Sequence, residues 1–533
     1  MYNNYTPLQQ RQLALQEYSN TQSTYLLVCA PARSTALKAT LTDQLHRKFR
    51  LVDRLGGQLT ASVDGVLLAA EDVELMSTAL MYFAKALQDG ADYAVCNAVF
   101  GFGGATALYQ SQPLQAQNRC AVVSRTLLER CRAAAHDPEN VPELLALAAQ
   151  LCTRPTLIPQ ALLHYERGIC AEDAFSAHGK RAFIMSHVLD MTGAPIVLVS
   201  AVPVLRSMGY EVLVLGPSDG GSLHLFLDAG ASVITRSSCR NVSDAWGMAL
   251  CADFVIANTV VMARAVRALS GTAVPVLWWL HDAFAGYPHI AHQIPTQLGE
   301  NVRVYSVGSH AANAMRAVRP EFEIRPLIYG LPDYAAENFV RTDLGYNRGR
   351  PLFATVGSFE RRKGHDIFCK AIRLLPPEVR EKASFLFVGQ AADKEMMDSV
   401  RTLTADYPEN VFYCKRLTRD EIKSLMEQCT GLVCASRDDP MPTFVTEGLI
   451  FGKPSIVSEH TGTAGLISEG RNGFVYHDDD PQQLAVLLEH AIEHPEELAS
   501  MRTECRKMYE QYYSKEAFEQ TLRAAVEDLT AKK

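Results

Sequence analysis

The chain has no apolar run long enough to cross a bilayer. Its longest uncharged apolar stretch, residues 194–205, falls short of the roughly 20 residues that a span needs. The polar opening Met1-Tyr2-Asn3-Asn4-Tyr5 carries no signal-peptide pattern. The expectation is a cytoplasmic protein, with peripheral contact at the inner membrane face left open. A basic block is also missing: 51 Lys and Arg against 59 Asp and Glu give a net charge of −8, with no stripe of the kind a phosphate backbone requires. Nucleic acid is therefore not an expected partner, whereas a small anion needs only two or three local cations. Thirteen cysteines include no C-x-x-C pair and no Cys/His cluster at zinc spacing, so they read as reduced, mostly buried thiols with no metal site. Gly101-Phe102-Gly103-Gly104 lacks the third glycine and the later acid of a dinucleotide fingerprint and reads as a turn, which disfavours a dehydrogenase.

What is present is an ordinary globular composition, 48% hydrophobic and 21% charged, over 533 residues, enough for two or three domains. From Arg181 onward, apolar runs alternate with amphipathic stretches: 182–186, 196–208, 211–215, 223–229 and 232–234, then 254–257, 274–280 and 302–307. This is the strand–helix alternation of a parallel sheet. A polar stretch, 336–350, reads as a linker. A second series follows at 351–356, 384–388, 411–413, 431–435 and 454–458, with a helical pattern at 419–429. Two Rossmann-like domains in tandem are expected, with the cleft between them as the default site and its ligands beyond the carboxyl ends of the strands. Residues 1–172 differ in texture, with strand-like 25–29, 65–69 and 91–99 and helix-like 76–87.

The densest chemistry lies in Ser436-Arg437-Asp438-Asp439-Pro440-Met441-Pro442-Thr443-Phe444-Val445-Thr446-Glu447. It follows the strand 431–435, and Pro442 opens a short helix closed by Gly452 and Pro454. Asp439 then lies in the loop and Glu447 about one turn into the helix, so two carboxylates at a strand's carboxyl end can accept bonds from vicinal hydroxyls. The plainer reading has Asp438 and Asp439 favouring a helix N-terminus and Glu447 facing solvent. Upstream, Val356-Gly357-Ser358-Phe359-Glu360-Arg361-Arg362-Lys363-Gly364 follows a strand and opens a helix, where a diphosphate meets amide groups and cations. Downstream, Glu459-His460-Thr461-Gly462-Thr463-Ala464-Gly465-Leu466 is small enough for a close approach by a sugar or phosphate. Next comes Glu469-Gly470-Arg471-Asn472-Gly473-Phe474, which has turn chemistry and a structural role.

These residues resemble the acidic-x7-acidic motif of glycosyltransferase family 4, the retaining GT-B enzymes, with Asp439 where glutamate is commoner. The resemblance covers roughly 182–529 and implies an α/β GT-B fold: two Rossmann-like domains across a cleft (178–335 for acceptor, 350–515 for donor), a C-terminal helix (516–533) and an extra α/β module in front. It implies transfer from a nucleoside diphosphate sugar to a hydroxyl of a glycan or lipid-linked glycan. Retention, independence from metals or other cofactors, and a place in bacterial-type surface polysaccharide or glycoconjugate synthesis are implied too. Asp439, Glu447 and Lys363 would be catalytic, as would His281 of Trp278-Trp279-Leu280-His281-Asp282, since a histidine there approaches the transferred sugar in relatives; Asn258 is a further candidate. Gly357, Ser358, Gly462, Thr463, Ala464 and Gly465 would bind donor. Arg362 would stand in for the arginine usual at position 358. Gly193 and Ala194, in the loop 186–195, would face the donor phosphates and the acceptor. The amino-terminal segment faintly resembles the later half of a family 2 (GT-A) enzyme, but Ala69-Ala70-Glu71-Asp72 stands where an Asp-x-Asp metal motif belongs, so a degenerate, non-catalytic module is expected. A nucleotide-sugar epimerase of the same fold and an inactive carbohydrate-binding scaffold are the alternatives.

Overall fold

The computed structural model describes residues 23–31, 34–42, 44, 46–56, 59–70, 73–76, 78–101, 106–110, 119–165, 179–236, 248–477 and 479–531. The chain divides into two compact units, 3–253 and 254–533.

Residues 254–533 hold two parallel sheets. In the first, Phe254–Asn258, Val276–Leu280, Val302–Ser306 and Ile324–Pro326 lie side by side in sequence order. Val276–Leu280 is buried along its whole length, as a strand covered on both faces must be, which is why it reads as an unbroken apolar run rather than an alternation. Its two indoles keep their N–H groups satisfied in the core: Trp278 donates to the Thr259 carbonyl at 2.8 Å and Trp279 to that of Leu327 at 2.9 Å.

The second sheet has the order Val411–Cys414, Ser384–Val388, Leu352–Val356, Gly431–Cys434, Ser455–Ser458, Gly473–Tyr476, all parallel. Counted along the chain this is 3-2-1-4-5-6, so the order reverses between Leu352–Val356 and Gly431–Cys434. Such a reversal, at the carboxyl edge of the strands, is where open α/β sheets bind their ligands. The loops leaving the two strands there are 357–364 and 435–442, with four and three charged residues. The helix Arg419–Gln428 begins with a capping box between Thr418 and Glu421. The last helix, Lys515–Thr530, returns to the first sheet, where Phe518 stacks on Trp279 with ring centroids 5.7 Å apart. Residues 336–350 form neither helix nor strand. They are nevertheless strapped to Arg419–Gln428: the Thr342 amide donates to Ser424 Oγ at 3.0 Å, and Gln428 Nε2 to the Thr342 carbonyl at 2.6 Å.

In residues 3–253, Lys180–Met185, Tyr210–Gly216 and Ser232–Arg236 are parallel, with the helix Gly193–Ser207 after the first of them. Leu26–Cys29 lies between Phe49–Val52 and Gly65–Ala69, parallel to both, and Gly65–Ala69 pairs antiparallel with Cys120–Ser124. Tyr93–Gly101 pairs antiparallel with Thr106–Gln110 and parallel with Pro155–Tyr165. Thr106–Gln110 also pairs antiparallel with Ser232–Arg236, for example Tyr109 opposite Val233, so backbone hydrogen bonds join the amino-terminal segment to the strand–helix series that follows it. Glu71, Asp72 and Phe102–Gly103–Gly104 lie outside the described residues. Among those described, no helix is long and apolar enough to cross a membrane.

Candidate functional site

The two loops at the strand-order reversal are locked together before any ligand is considered. Gly364 takes a left-handed φ of 65°, and a β-carbon there would collide with the Ala435 carbonyl, so only glycine lets the first loop pass this close to the second. The Arg437 amide donates to the Arg362 carbonyl at 2.8 Å. Its guanidinium grips Asp366 through two bonds of 2.8 Å each and reaches the Arg361 carbonyl at 2.9 Å. The result is a docked one-turn segment, Arg361–Lys363, from which Lys363 Nζ reaches Asp439 Oδ2 at 2.6 Å. Asp439 is 3% exposed, and a carboxylate that buried needs its cation. Arg362 is engaged as well, with one amino group on the Asp438 carbonyl at 3.0 Å and the other on Glu360 Oε1 at 2.9 Å. Both cations are thus already paired within the protein.

The third loop joins through Asp439, whose amide donates to the His460 carbonyl at 3.0 Å and whose carbonyl accepts from the Gly462 amide at 2.9 Å. A β-carbon on Gly462 would strike the Pro440 carbonyl, so the glycine is a requirement of this contact. Thr463 is buried, and Ala464 and Gly465 begin a single 3-10 turn. Glu447 lies in the helix Thr443–Ile450, 8% exposed, with Oε1 accepting from an Arg419 amino group at 2.7 Å. The Arg419 guanidinium also lies 4.1 Å from the centre of the Tyr334 ring. Sequence reasoning passed over Arg419. Its signal is a cation in the first turn of a helix, against the macrodipole and beside Asp420 and Glu421, a placement that calls for a partner elsewhere.

The remaining candidates sit as follows. The Gly357 amide donates to the Val388 carbonyl at 2.9 Å and the Ser358 hydroxyl to Glu360 Oε1 at 2.9 Å. His281 packs its ring 4.6 Å from that of Trp279. Its neighbour Asp282 has its carboxyl pKa pushed up to about 6 by burial, against the opposing pull of backbone amides, one of them Val260 N at 2.6 Å. Asn258 is fully buried at the end of its strand. Gly193 and Ala194 open the helix Gly193–Ser207 in the 3–253 unit. Among the described residues no three His, Cys, Asp or Glu side chains gather as a metal site would require.

His365, directly after the Lys363-Gly364 pair, yields a prediction. Burial, and secondarily the charge of Lys363, push its imidazole pKa down to about 3, and its ring packs edge-on against Phe359 at 4.5 Å. Above the unfolded value of about 6.5 both states are neutral. As pH falls from there towards 3 only the unfolded chain takes the proton, so stability declines by about 1.4 kcal/mol per pH unit from this group. Urea unfolding between pH 7 and pH 5 should show this slope in the wild type and lose one proton's worth of it in His365→Gln; equal slopes would contradict the assignment.

Residues 178–318 match the family described as "Glycosyl-transferase family 4", and residues 337–508 the family described as "Glycosyl transferases group 1". The chain carries a glycosyltransferase family 4 domain followed by a glycosyltransferase group 1 domain. Among curated relatives, spore coat protein SA of Bacillus subtilis is 28% identical over 160 residues, 28% of this chain and 41% of that protein. An uncharacterised glycosyltransferase of Methanocaldococcus jannaschii is 26% identical over 197 residues, 36% of this chain and 53% of that one. The chain thus spans about half the length of the curated relatives it matches. Of solved structures, Anabaena HepE in complex with UDP-glucose has a TM-score of 0.54 at 16% identity, over 66% of this chain and all of that one. Sucrose-phosphate synthase of Thermosynechococcus elongatus has 0.53 at 16%, over 66% of this chain and all of that one. The fold is GT-B, an α/β architecture with parallel sheets.

Proposed function

We propose that this protein is a glycosyltransferase that moves a hexosyl group from a nucleoside diphosphate sugar to a hydroxyl of a glycan or lipid-linked glycan, with retention and without a metal. On this reading it works in the cytoplasm, peripherally at the inner membrane face, in surface polysaccharide or glycoconjugate synthesis. The observation that carries it is the meeting of Lys363 and Asp439 at the strand-order reversal, one short helix from Glu447. Lys363 and Arg362 would neutralise the diphosphate, most strongly as it departs with the bonding electrons of the anomeric C–O bond. Asp439 and Glu447 would accept bonds from sugar and ribose hydroxyls. The acceptor oxygen bonds to the anomeric carbon on the face the diphosphate leaves, and its proton passes to a diphosphate oxygen, so no protein base is required. His281, the loop 462–465 and the Gly193–Ala194 turn complete the assignment. The module 1–172 would place the acceptor or dock a partner.

UDP-glucose, bound in the HepE neighbour, is the first donor to try. The test is release of nucleoside diphosphate from UDP-, GDP- and ADP-sugars, with and without excess EDTA, and the anomeric configuration of the product by NMR. We expect release with one base class, unchanged by EDTA, and a retained configuration. An epimerised sugar nucleotide formed without acceptor would replace this reading. Activity abolished by EDTA and restored by manganese would move the chemistry to the module carrying Glu71 and Asp72.

A further inference from the structure

Asp438 stands beside Asp439, yet its carboxylate is taken up by loops of the other sheet in the 254–533 unit. Oδ1 accepts from the Phe284 amide at 3.1 Å and bonds His310 Nε2 at 2.7 Å; Oδ2 accepts from the Ala285 amide at 2.8 Å. Phe284 and Ala285 lie in the turn after Val276–Leu280, and His310 in the first turn of Ser309–Arg316, after Val302–Ser306. Three donors from two loops of the first sheet thus converge on one carboxylate of the second, and the His310 and Asp438 side chains are 7% and 14% exposed. Burial alone would raise the Asp438 pKa, but the His310 bond and the two amides hold it below the usual carboxylate range.

The surroundings are shaped for this approach. A β-carbon on Gly308 would lie 2.7 Å from the Met441 methyl, and one on Gly465 would lie 2.7 Å from Ser309 Oγ, so both glycines keep the interface close. The Phe284 and His310 rings meet edge to face at 5.1 Å. On the donor side, Arg362 donates to the Asp438 carbonyl and Lys363 binds the adjacent Asp439. The two sheets are already tied by the chain through 327–350 and by the returning helix Lys515–Thr530. The Asp438 contact is a further tie, made by loop residues of both sheets.

We propose that Asp438 is a positioning residue: through His310 and the Phe284–Ala285 amides it holds the first-sheet loops closed over the donor loops before a donor arrives. This rests on the donor site lying at Lys363, Asp439 and Glu447. A protein whose competent state has population f binds with an apparent Kd of the intrinsic value divided by f. Cutting the latch lowers f and weakens donor binding by the same factor. Saturating donor draws the protein closed again, so kcat is spared. Loss of one charge-assisted network corresponds to a Kd increase on the order of tenfold.

The experiment compares Asp438→Ala, His310→Ala, the double variant and His310→Gln, which keeps a side-chain N–H, in the full chain. UDP is the calorimetric probe, UDP-glucose hydrolysis gives kcat and KM, and small-angle X-ray scattering is recorded without and with UDP. Each alanine variant should raise Kd and KM about tenfold with kcat within about twofold, the double should be no worse than either single, and His310→Gln should sit near wild type. The alanine variants should scatter as a more expanded particle without UDP and contract with it, the wild type changing little. Wild-type Kd and scattering in the alanine variants would overturn the proposal, as would a fall in kcat at unchanged KM. If wild-type protein does not bind UDP, the donor reading loses its nucleotide, while scattering of the free proteins still decides: identical curves for wild type and Asp438→Ala overturn the latch.

Discussion

Glu447→Gln should lower kcat/KM for sugar transfer about 10- to 100-fold while the thermal midpoint stays near that of the wild type. The carboxylate is 8% exposed and charge-paired with Arg419, so the amide keeps the shape of the site but removes a charged acceptor worth about 1.5–3 kcal/mol to a ribose or sugar hydroxyl. Arg419, a third exposed, can turn to water when its partner is neutralised, which limits the cost to folding. Arg419→Gln should produce a milder loss of the same kind, because Glu447 keeps its charge but not its clasp. Near-normal transfer by Glu447→Gln in steady-state assays would remove this helix from the donor site.

Lys363→Ala should cost more, on the order of 100- to 1000-fold in kcat/KM, with donor Kd and kcat both affected. The ammonium would bind phosphate in the ground state and bind it more strongly as the leaving group gains charge. The substitution also strands Asp439, 3% exposed, without its cation, so a loss of stability should accompany the loss of activity. The double variant Lys363→Ala with Asp439→Asn separates these effects: it should recover stability in urea unfolding and not recover turnover. Donor titration and kinetics at wild-type levels in Lys363→Ala would instead mark the 361–363 segment as a solvated basic loop.

Local pattern carried much of the way from sequence to site. The strands of the second sheet were legible because, in a sheet covered on both faces, each is a short apolar run bounded by turn residues; Ser384–Val388 has the bounds its pattern suggests. Lys363, Asp439 and Glu447 lie in the loops and helix leaving those strands, and it is the resemblance to the family 4 motif, beyond local pattern, that singles them out. What stayed hidden is set by partners far along the chain. Asp438 looked like an acid favouring a helix start, but its donors are Phe284, Ala285 and His310, and nothing local names them. The Arg419–Glu447 pair spans 28 residues. Residues 336–350 carry a linker's composition, yet the Thr342 and Leu344 amides are bound by side chains of Arg419–Gln428, since a segment without regular structure must still satisfy its amides. In the amino-terminal segment Pro155–Tyr165 went unnoticed, because two prolines disguise a strand whose pairing with Tyr93–Gly101 shifts register between Cys96 and Ala98.

The central claim, a nucleoside diphosphate sugar bound at the loops that carry Lys363 and Asp439 and the helix that carries Glu447, is tested most directly by calorimetric titration of UDP-, GDP- and ADP-glucose into the wild type and Lys363→Ala. The account predicts that one of the three binds the wild type one to one and binds the variant at least tenfold more weakly. Binding of none of them, or equal affinity in the two proteins, would contradict it.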